Sequence, residues 1–269
     1  MTPYPSLEDF LAAPLSKVAQ VSPTTMIFAA GGTRRSAVLS NVSLQSDAYA
    51  HWSRERMMAC FELLFQHGVS HIFTFAIVES QLQEVTDVYR QQLLNWVDWG
   101  LAGPEALTEY ARLGWRVRML GTESLPELKP TAARLIEKTE PQSAHTVWWS
   151  VVPSLDAPWE WIFTAVHNSQ ARTRQQAIRA LYGEDIPPAT LFLSFGKPFV
   201  SPELMPPLLM DQVHCYWTQR PGYELTQQEW RTICMIMPTF VPLGRKIKLG
   251  EQNLSYLIAL PGNKALLWD

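Results

Sequence analysis

The amino-acid sequence predicts an α/β fold: a central six-stranded, mostly parallel sheet flanked by helices. Three observations lead there. Six short runs rich in β-branched and aromatic residues recur along the chain, and helical stretches separate them. The runs are nearly continuously apolar rather than alternating, which is the pattern of strands buried on both faces. Strands that alternate with helices form right-handed βαβ units, and such units build a parallel sheet.

In chain order the strand runs are 25–30 (TMIFAA), 71–77 (HIFTFAI), 115–120 (WRVRML), 146–152 (TVWWSVV), 190–195 (TLFLSF) and 213–217 (VHCYW). The clearest helix spans 47–67, with Ser46 or Asp47 available as N-cap and Gly68 placed to end it in a left-handed turn. Further helices are expected over 81–101, 104–113, 131–140, 159–171, 173–182 and 226–235. At the end of the chain, apolar residues 254–260, a Pro-Gly-Asn-Lys turn at 261–264 and residues 265–268 predict a hairpin or a folded-back extension. No internal repeat or low-complexity linker interrupts the pattern, so residues 1–269 are read as a single domain.

Composition narrows the function classes. Apolar residues make up 47% and charged residues 17% of the chain, enough for a core and too little charge for a disordered segment. A net charge of -3 and a pI near 6.1 give no overall electrostatic reason to bind nucleic acid or anionic lipid. Cys60, Cys215 and Cys234 lack CxxC or Cys/His spacing, which argues against a disulfide framework or a zinc site and fits a reducing cytoplasm. The N-terminal stretch lacks a basic region followed by an apolar core, so it is not expected to be a signal peptide. No apolar run approaches the roughly 20 residues that span a bilayer. A lipid substrate would have to be taken from water or from a membrane surface. The six histidines show no HExxH or paired-ligand spacing, and the Gly-x-Ser-x-Gly elbow of serine hydrolases is absent.

Ligands of open parallel sheets sit beyond the carboxyl ends of the strands. After the first strand stands Gly31-Gly32-Thr33-Arg34-Arg35. Two glycines admit a ligand to the backbone, exposed N–H groups cradle an anion, and paired guanidiniums supply fixed donors, which together outline a diphosphate site. A surface turn with solvated arginines is the competing reading. The pattern is neither a P-loop nor GxGxxG.

Gly32-Thr33-Arg34-Arg35 matches the Gly-Thr-Arg-Arg of an Asp-Gly-Thr-Arg-Arg-Trp motif. With it, the chain resembles the cis-prenyltransferase fold family, and within it the branch of tuberculosinol and kolavelool synthases. Ser46-Asp47-Ala48-Tyr49 with the segment 63–69 (LLFQHGV), Arg174 with Leu181-Tyr182-Gly183-Glu184, and Ser194-Phe195-Gly196-Lys197 are similar to further segments of that branch, in the same order. The matches run over about 20–230.

The resemblance implies an undecaprenyl diphosphate synthase-like sheet and an enzyme that ionises a bicyclic C20 allylic diphosphate, kolavenyl or tuberculosinyl diphosphate. Water then captures the cation as a tertiary diterpene alcohol. In this reading Arg34 and Arg35 assist departure of the diphosphate, Gly31, Gly32, Thr33 and Lys197 bind it, and Tyr49 positions or deprotonates the water. Phe75, or Phe73, and two or three of the tryptophans, with Trp148, Trp149, Trp159 and Trp161 as candidates, face the hydrocarbon.

The resemblance also implies a homodimer, an upstream class II diterpene cyclase, and Mg²⁺ on the diphosphate. One departure bears on the metal: the family's aspartate is Gly31 here, and its later acidic pair survives only as Glu79-Ser80. This leaves Glu79 as a candidate at the diphosphate, with an ordinary acid at a helix N-terminus as the competing reading. Three alternatives stay open at this point: prenyl transfer to a nucleophile such as adenosine, chain elongation with isopentenyl diphosphate, and a catalytically silent partner subunit.

Overall fold

The computed structural model of the chain describes residues 6–44, 47–83, 86–196 and 202–237. Two short helices, α1 (Leu7–Leu11) and α2 (Leu15–Ala19), precede β1 (Thr25–Ala29). Then follow α3 (Thr33–Leu39), α4 (Asp47–Gln66), β2 (His71–Val78), α5 (Glu79–Gln83), α6 (Asp87–Ala102), α7 (Pro104–Leu113) and β3 (Arg116–Leu120). The chain continues through α8 (Lys129–Lys138), β4 (Thr146–Val152), α9 (Ala157–Ser169), α10 (Arg174–Tyr182), β5 (Ala189–Phe195), β6 (Met210–Thr218) and α11 (Gln227–Ile236).

The six strands form one sheet in the order β3-β4-β2-β1-β5-β6. Each of its five strand pairings is parallel, firmer than the mostly parallel expectation. β1, β4 and β5 are buried as expected, because helices cover both faces, while β2 is buried at Ile72, Phe73, Thr74 and Ile77 and half-buried elsewhere. β3 and β6 correct the expectation of burial on both faces: they are the edges of the sheet, and most of their residues keep solvent contact.

Alternation along the strands divides the core in two. On one face Phe28, Ile72 and Leu191 pack with Met57, Phe61 and Leu64 of α4, Val97 of α6, Tyr110 of α7 and Trp230 of α11. On the other, Ile27, Phe73, Trp148 and Phe192 meet Ile178 and Tyr182 of α10.

The helices expected from 81 and from 173 show how local chemistry sets boundaries. Thr86 accepts a hydrogen bond from the Tyr89 amide and caps α6, so the expected 81–101 helix is divided into α5 and α6. Thr173 and Thr226 cap α10 and α11 in the same way, one residue before each helix. The helix α3 was not legible as a helix, since its N-cap is Gly32 at φ 80° rather than a Ser, Thr or Asp. Ser46 and the C-terminal hairpin expected over 254–268 lie outside the described residues. Among those described, no helix is long and apolar enough to cross a membrane, and all three cysteines are free.

Candidate active site

At the carboxyl ends of β1, β5 and β6, backbone turns close on one another. The Gly222 N–H donates to the Gly31 carbonyl at 2.7 Å, and the Gly196 N–H donates to the Thr218 carbonyl at 2.9 Å. Gly31 itself abuts the end of β5: a Cβ there would stand 2.1 Å from the Phe195 carbonyl oxygen. The position is thus closed to any side chain without backbone movement. The aspartate expected from the family motif finds no room.

Beside these turns lies a cavity of about 660 Å³, within the usual range of small-molecule sites. Its rim is formed by Gly31, Gly32, Thr33, Arg35 and Gly196. Of the nine side chains and backbone positions singled out from sequence, Gly31, Gly32, Thr33, Arg35, Tyr49 and Phe75 meet around this one space. Tyr49, in the first turn of α4, brings its hydroxyl to 2.9 Å from Thr33 Oγ1, and its ring meets the edge of Trp96 at 5.8 Å.

Arg34 and Glu79 are not among the lining residues. Successive residues of a helix point about 100° apart, and Arg34 is turned outward, its guanidinium 5.5 Å from the centre of the Tyr89 ring. Glu79 accepts a hydrogen bond from Gln83 at 2.6 Å within α5. Lys197 lies outside the described residues. Of the expected aromatic residues, Phe75 and Trp149 line the cavity, Phe73 and Trp148 stack on each other in the core at 5.6 Å, and Trp159 is 48% exposed.

Residues that sequence reasoning missed complete the wall. Leu93, Trp96, Val97, Gly100 and Leu101 of α6 follow the i, i+3, i+4, i+7, i+8 pattern of one helix face, a signal present in the sequence. Tyr223 lies flat on Phe28 at 5.7 Å, and its hydroxyl is held far above the ordinary tyrosine range by burial, with Cys60 and Tyr49 nearby adding to the effect. Arg54, one side of which stacks on Trp99 at 4.5 Å, pairs with Glu105, and its Nη1 is buried with no hydrogen-bond partner. Glu203, 7% exposed, supplies the carboxylate among the described lining residues.

The arrangement has an anion-facing end and an apolar interior. Arg35 and the unpaired amides at the start of α3 favour negative charge. Trp96, Trp149 and Tyr49 line that interior, and aromatic rings attract a cation electrostatically. A divalent cation is poorly served: among the described residues no three His, Cys, Asp or Glu side chains cluster, and Gly31 excludes the carboxylate the motif calls for.

No protein-family model matches the chain. Over 233 residues it is 46% identical to (+)-kolavelool synthase of Herpetosiphon aurantiacus, a match covering 87% of this chain and 81% of that protein. To tuberculosinyl adenosine transferase of Mycobacterium tuberculosis it is 26% identical over 243 residues, covering 85% and 81%. Among solved structures, lavandulyl diphosphate synthase of Lavandula x intermedia in complex with dimethylallyl diphosphate superposes with a TM-score of 0.63 at 11% identity, over 81% of this chain and 96% of that one. A probable undecaprenyl diphosphate synthase of Campylobacter jejuni gives 0.55 at 17% identity, over 68% and 88%. What these structures share with the chain is the fold, the sheet with its flanking helices.

Proposed function

The chain belongs to the diterpene synthase family of (+)-kolavelool synthase, with the cis-prenyltransferase fold, and from that premise we propose that it converts a bicyclic C20 allylic diphosphate and water to a tertiary diterpene alcohol and diphosphate. Kolavenyl or tuberculosinyl diphosphate is the substrate class. The observation that carries the reading is the meeting of Arg35, the Gly31-Gly32 turn and Tyr49 on one largely apolar cavity.

In the first step the carbon–oxygen bond to the diphosphate breaks and its electron pair leaves with the anion. Arg35 and the α3 amides stabilise the charge that develops there, which is usually the dominant contribution to such a step. The aromatic walls face the allylic cation, and the same walls delay water until it can add at the tertiary carbon. Tyr49, anchored through Thr33, orients that water. No step is assigned to Mg²⁺, because Gly31 and its surroundings do not fit it; turnover is expected to persist in EDTA, and complete loss restored by micromolar Mg²⁺ would contradict this.

Transfer to a nucleophile such as adenosine is the second reading, favoured by the 26% identical transferase. Elongation with isopentenyl diphosphate and a silent partner subunit are weaker: the second lacks a reason for Arg35 and Tyr49 to face one cavity. A homodimer is in keeping with the solvent contact of β6 at the sheet edge, where Asp211, Gln212 and Cys215 are exposed. The enzyme would work in the cytoplasm after a class II diterpene cyclase. The test is mass spectrometry of products from geranylgeranyl, kolavenyl and tuberculosinyl diphosphates, with and without adenosine. A prenylated nucleoside in place of an alcohol would move the assignment to the transferase.

A further inference from the structure

Across the top of the sheet from the apolar interior lies a second, smaller chamber of about 20 Å³. It has room for roughly one water molecule. Its wall includes Ser150, Trp161, Tyr182 and Glu203, and it shares Phe75, Glu203 and Leu204 with the main cavity. The two spaces therefore adjoin through these three residues.

Two features of this chamber are unusual for a hydrocarbon site. Glu203 is 7% exposed, on the short turn Pro202–Leu204. It lines both spaces, and a carboxylate at such a boundary accepts hydrogen bonds from water. Trp161, lining the same chamber, has its Nε1–H buried without a hydrogen-bond partner. A donor, a carboxylate acceptor and the Ser150 hydroxyl around a space of this size are what a single water requires. A nucleoside does not fit there.

We propose that this chamber stores the nucleophilic water and that Glu203 is the group that takes its proton. The inference rests on the hydrolytic reading above. As the diphosphate leaves with the electron pair of its carbon–oxygen bond, a lone pair of the water oxygen forms the new bond to the tertiary carbon. One proton of that water moves to the Glu203 carboxylate, which later returns it to the released diphosphate or to solvent. Tyr49, which lines the main cavity and not the chamber, meets the water only once it has entered the main cavity, and the base is the buried carboxylate.

The test compares Glu203→Gln and Glu203→Asp with the parent enzyme, measuring diphosphate release and the ratio of alcohol to hydrocarbon products separately. Glu203→Gln is expected to lower alcohol formation at least about 100-fold, the lower bound for a general base. Diphosphate release should fall much less, with the stranded cation losing a proton to give dienes, and Glu203→Asp should recover part of the alcohol. Should Glu203→Gln not fold, Trp161→Phe, which removes the chamber's N–H, is expected to shift the same ratio toward hydrocarbon, and an unchanged ratio overturns the inference. Alcohol at the parental rate and ratio from Glu203→Gln also overturns it, as does a proportional fall of release and alcohol in both Glu203 variants. A parent enzyme that makes no alcohol from any C20 diphosphate overturns the hydrolytic reading and this inference together.

Discussion

Restoring the aspartate of the family motif should damage this enzyme rather than improve it. In Gly31→Asp the new Cβ starts 2.1 Å from the Phe195 carbonyl oxygen and 3.2 Å from its carbonyl carbon. Carbon and oxygen ordinarily approach to about 3.3 Å, so the β1 and β5 termini must part by about 1 Å. The movement falls where Gly222 donates to Gly31 at 2.7 Å and Gly196 donates to Thr218 at 2.9 Å. Overpacking costs about 1–3 kcal/mol, and weakening one backbone hydrogen bond adds about 1 kcal/mol. At about 2–4 °C per kcal/mol for a large domain, the melting midpoint should fall by roughly 5–15 °C. Thermal unfolding of Gly31→Asp and Gly31→Ala, together with product formation across a Mg²⁺ titration, measures both consequences. Alanine should show most of the destabilisation, because the Cβ causes it. An unchanged midpoint, or a Gly31→Asp enzyme with raised, Mg²⁺-dependent activity, would refute the argument from this contact.

Three further outcomes are expected. Arg35→Ala should lower kcat/KM by at least about 2 kcal/mol, roughly 30-fold, while Arg34→Ala, turned out over Tyr89, should cost less than about tenfold; equal losses would return Arg34 to the diphosphate. Tyr49→Phe should leave the urea midpoint nearly unchanged and reduce alcohol formation about 10²- to 10⁴-fold, and alcohol at the parental rate would reduce Tyr49 to packing. Burial and the neighbouring Arg116 hold His71 down at about 4, and its Nδ1 accepts a hydrogen bond from Trp148 at 3.4 Å. A depressed folded value means that the unfolded chain takes up the proton first. The stability is therefore complete above about pH 6.5 and is lost as pH falls toward 4, by at most about 3 kcal/mol. Burial pushes His67 and His145 in the same direction. Urea midpoints at pH 7.5 and 5 check this, and a midpoint that does not fall on acidification contradicts it.

Much of the fold was legible because each strand is a short apolar run, and the caps Thr173 and Thr226 announce their helices. What a run cannot tell is its place in the sheet. β3 and β6 read as buried because WRVRML and VHCYW are apolar enough, yet edge position is decided by strand order, a long-range property. The site divides in the same way. Residues fixed by the local turn, Gly31 to Thr33 and Arg35, were legible in the loop after β1, and Tyr49 one helix later only through the family resemblance. Arg34 was read with its neighbour, though a helix turns adjacent side chains apart. Arg54, Tyr223 and Glu203 gave no signal, since their arrival at the cavity depends on packing of α4 against α6 and on turns that follow β5 and β6. The α6 stripe did carry one, in its helical spacing.

The claim that matters most is that water adds to a carbon cation rather than to phosphorus. Turnover of kolavenyl or tuberculosinyl diphosphate in H₂¹⁸O, with mass spectrometry of both products, decides it directly. Ionisation followed by capture predicts a tertiary alcohol carrying the ¹⁸O and a diphosphate without it. A primary alcohol without label and labelled phosphate would mean phosphorus–oxygen hydrolysis, and would contradict the account.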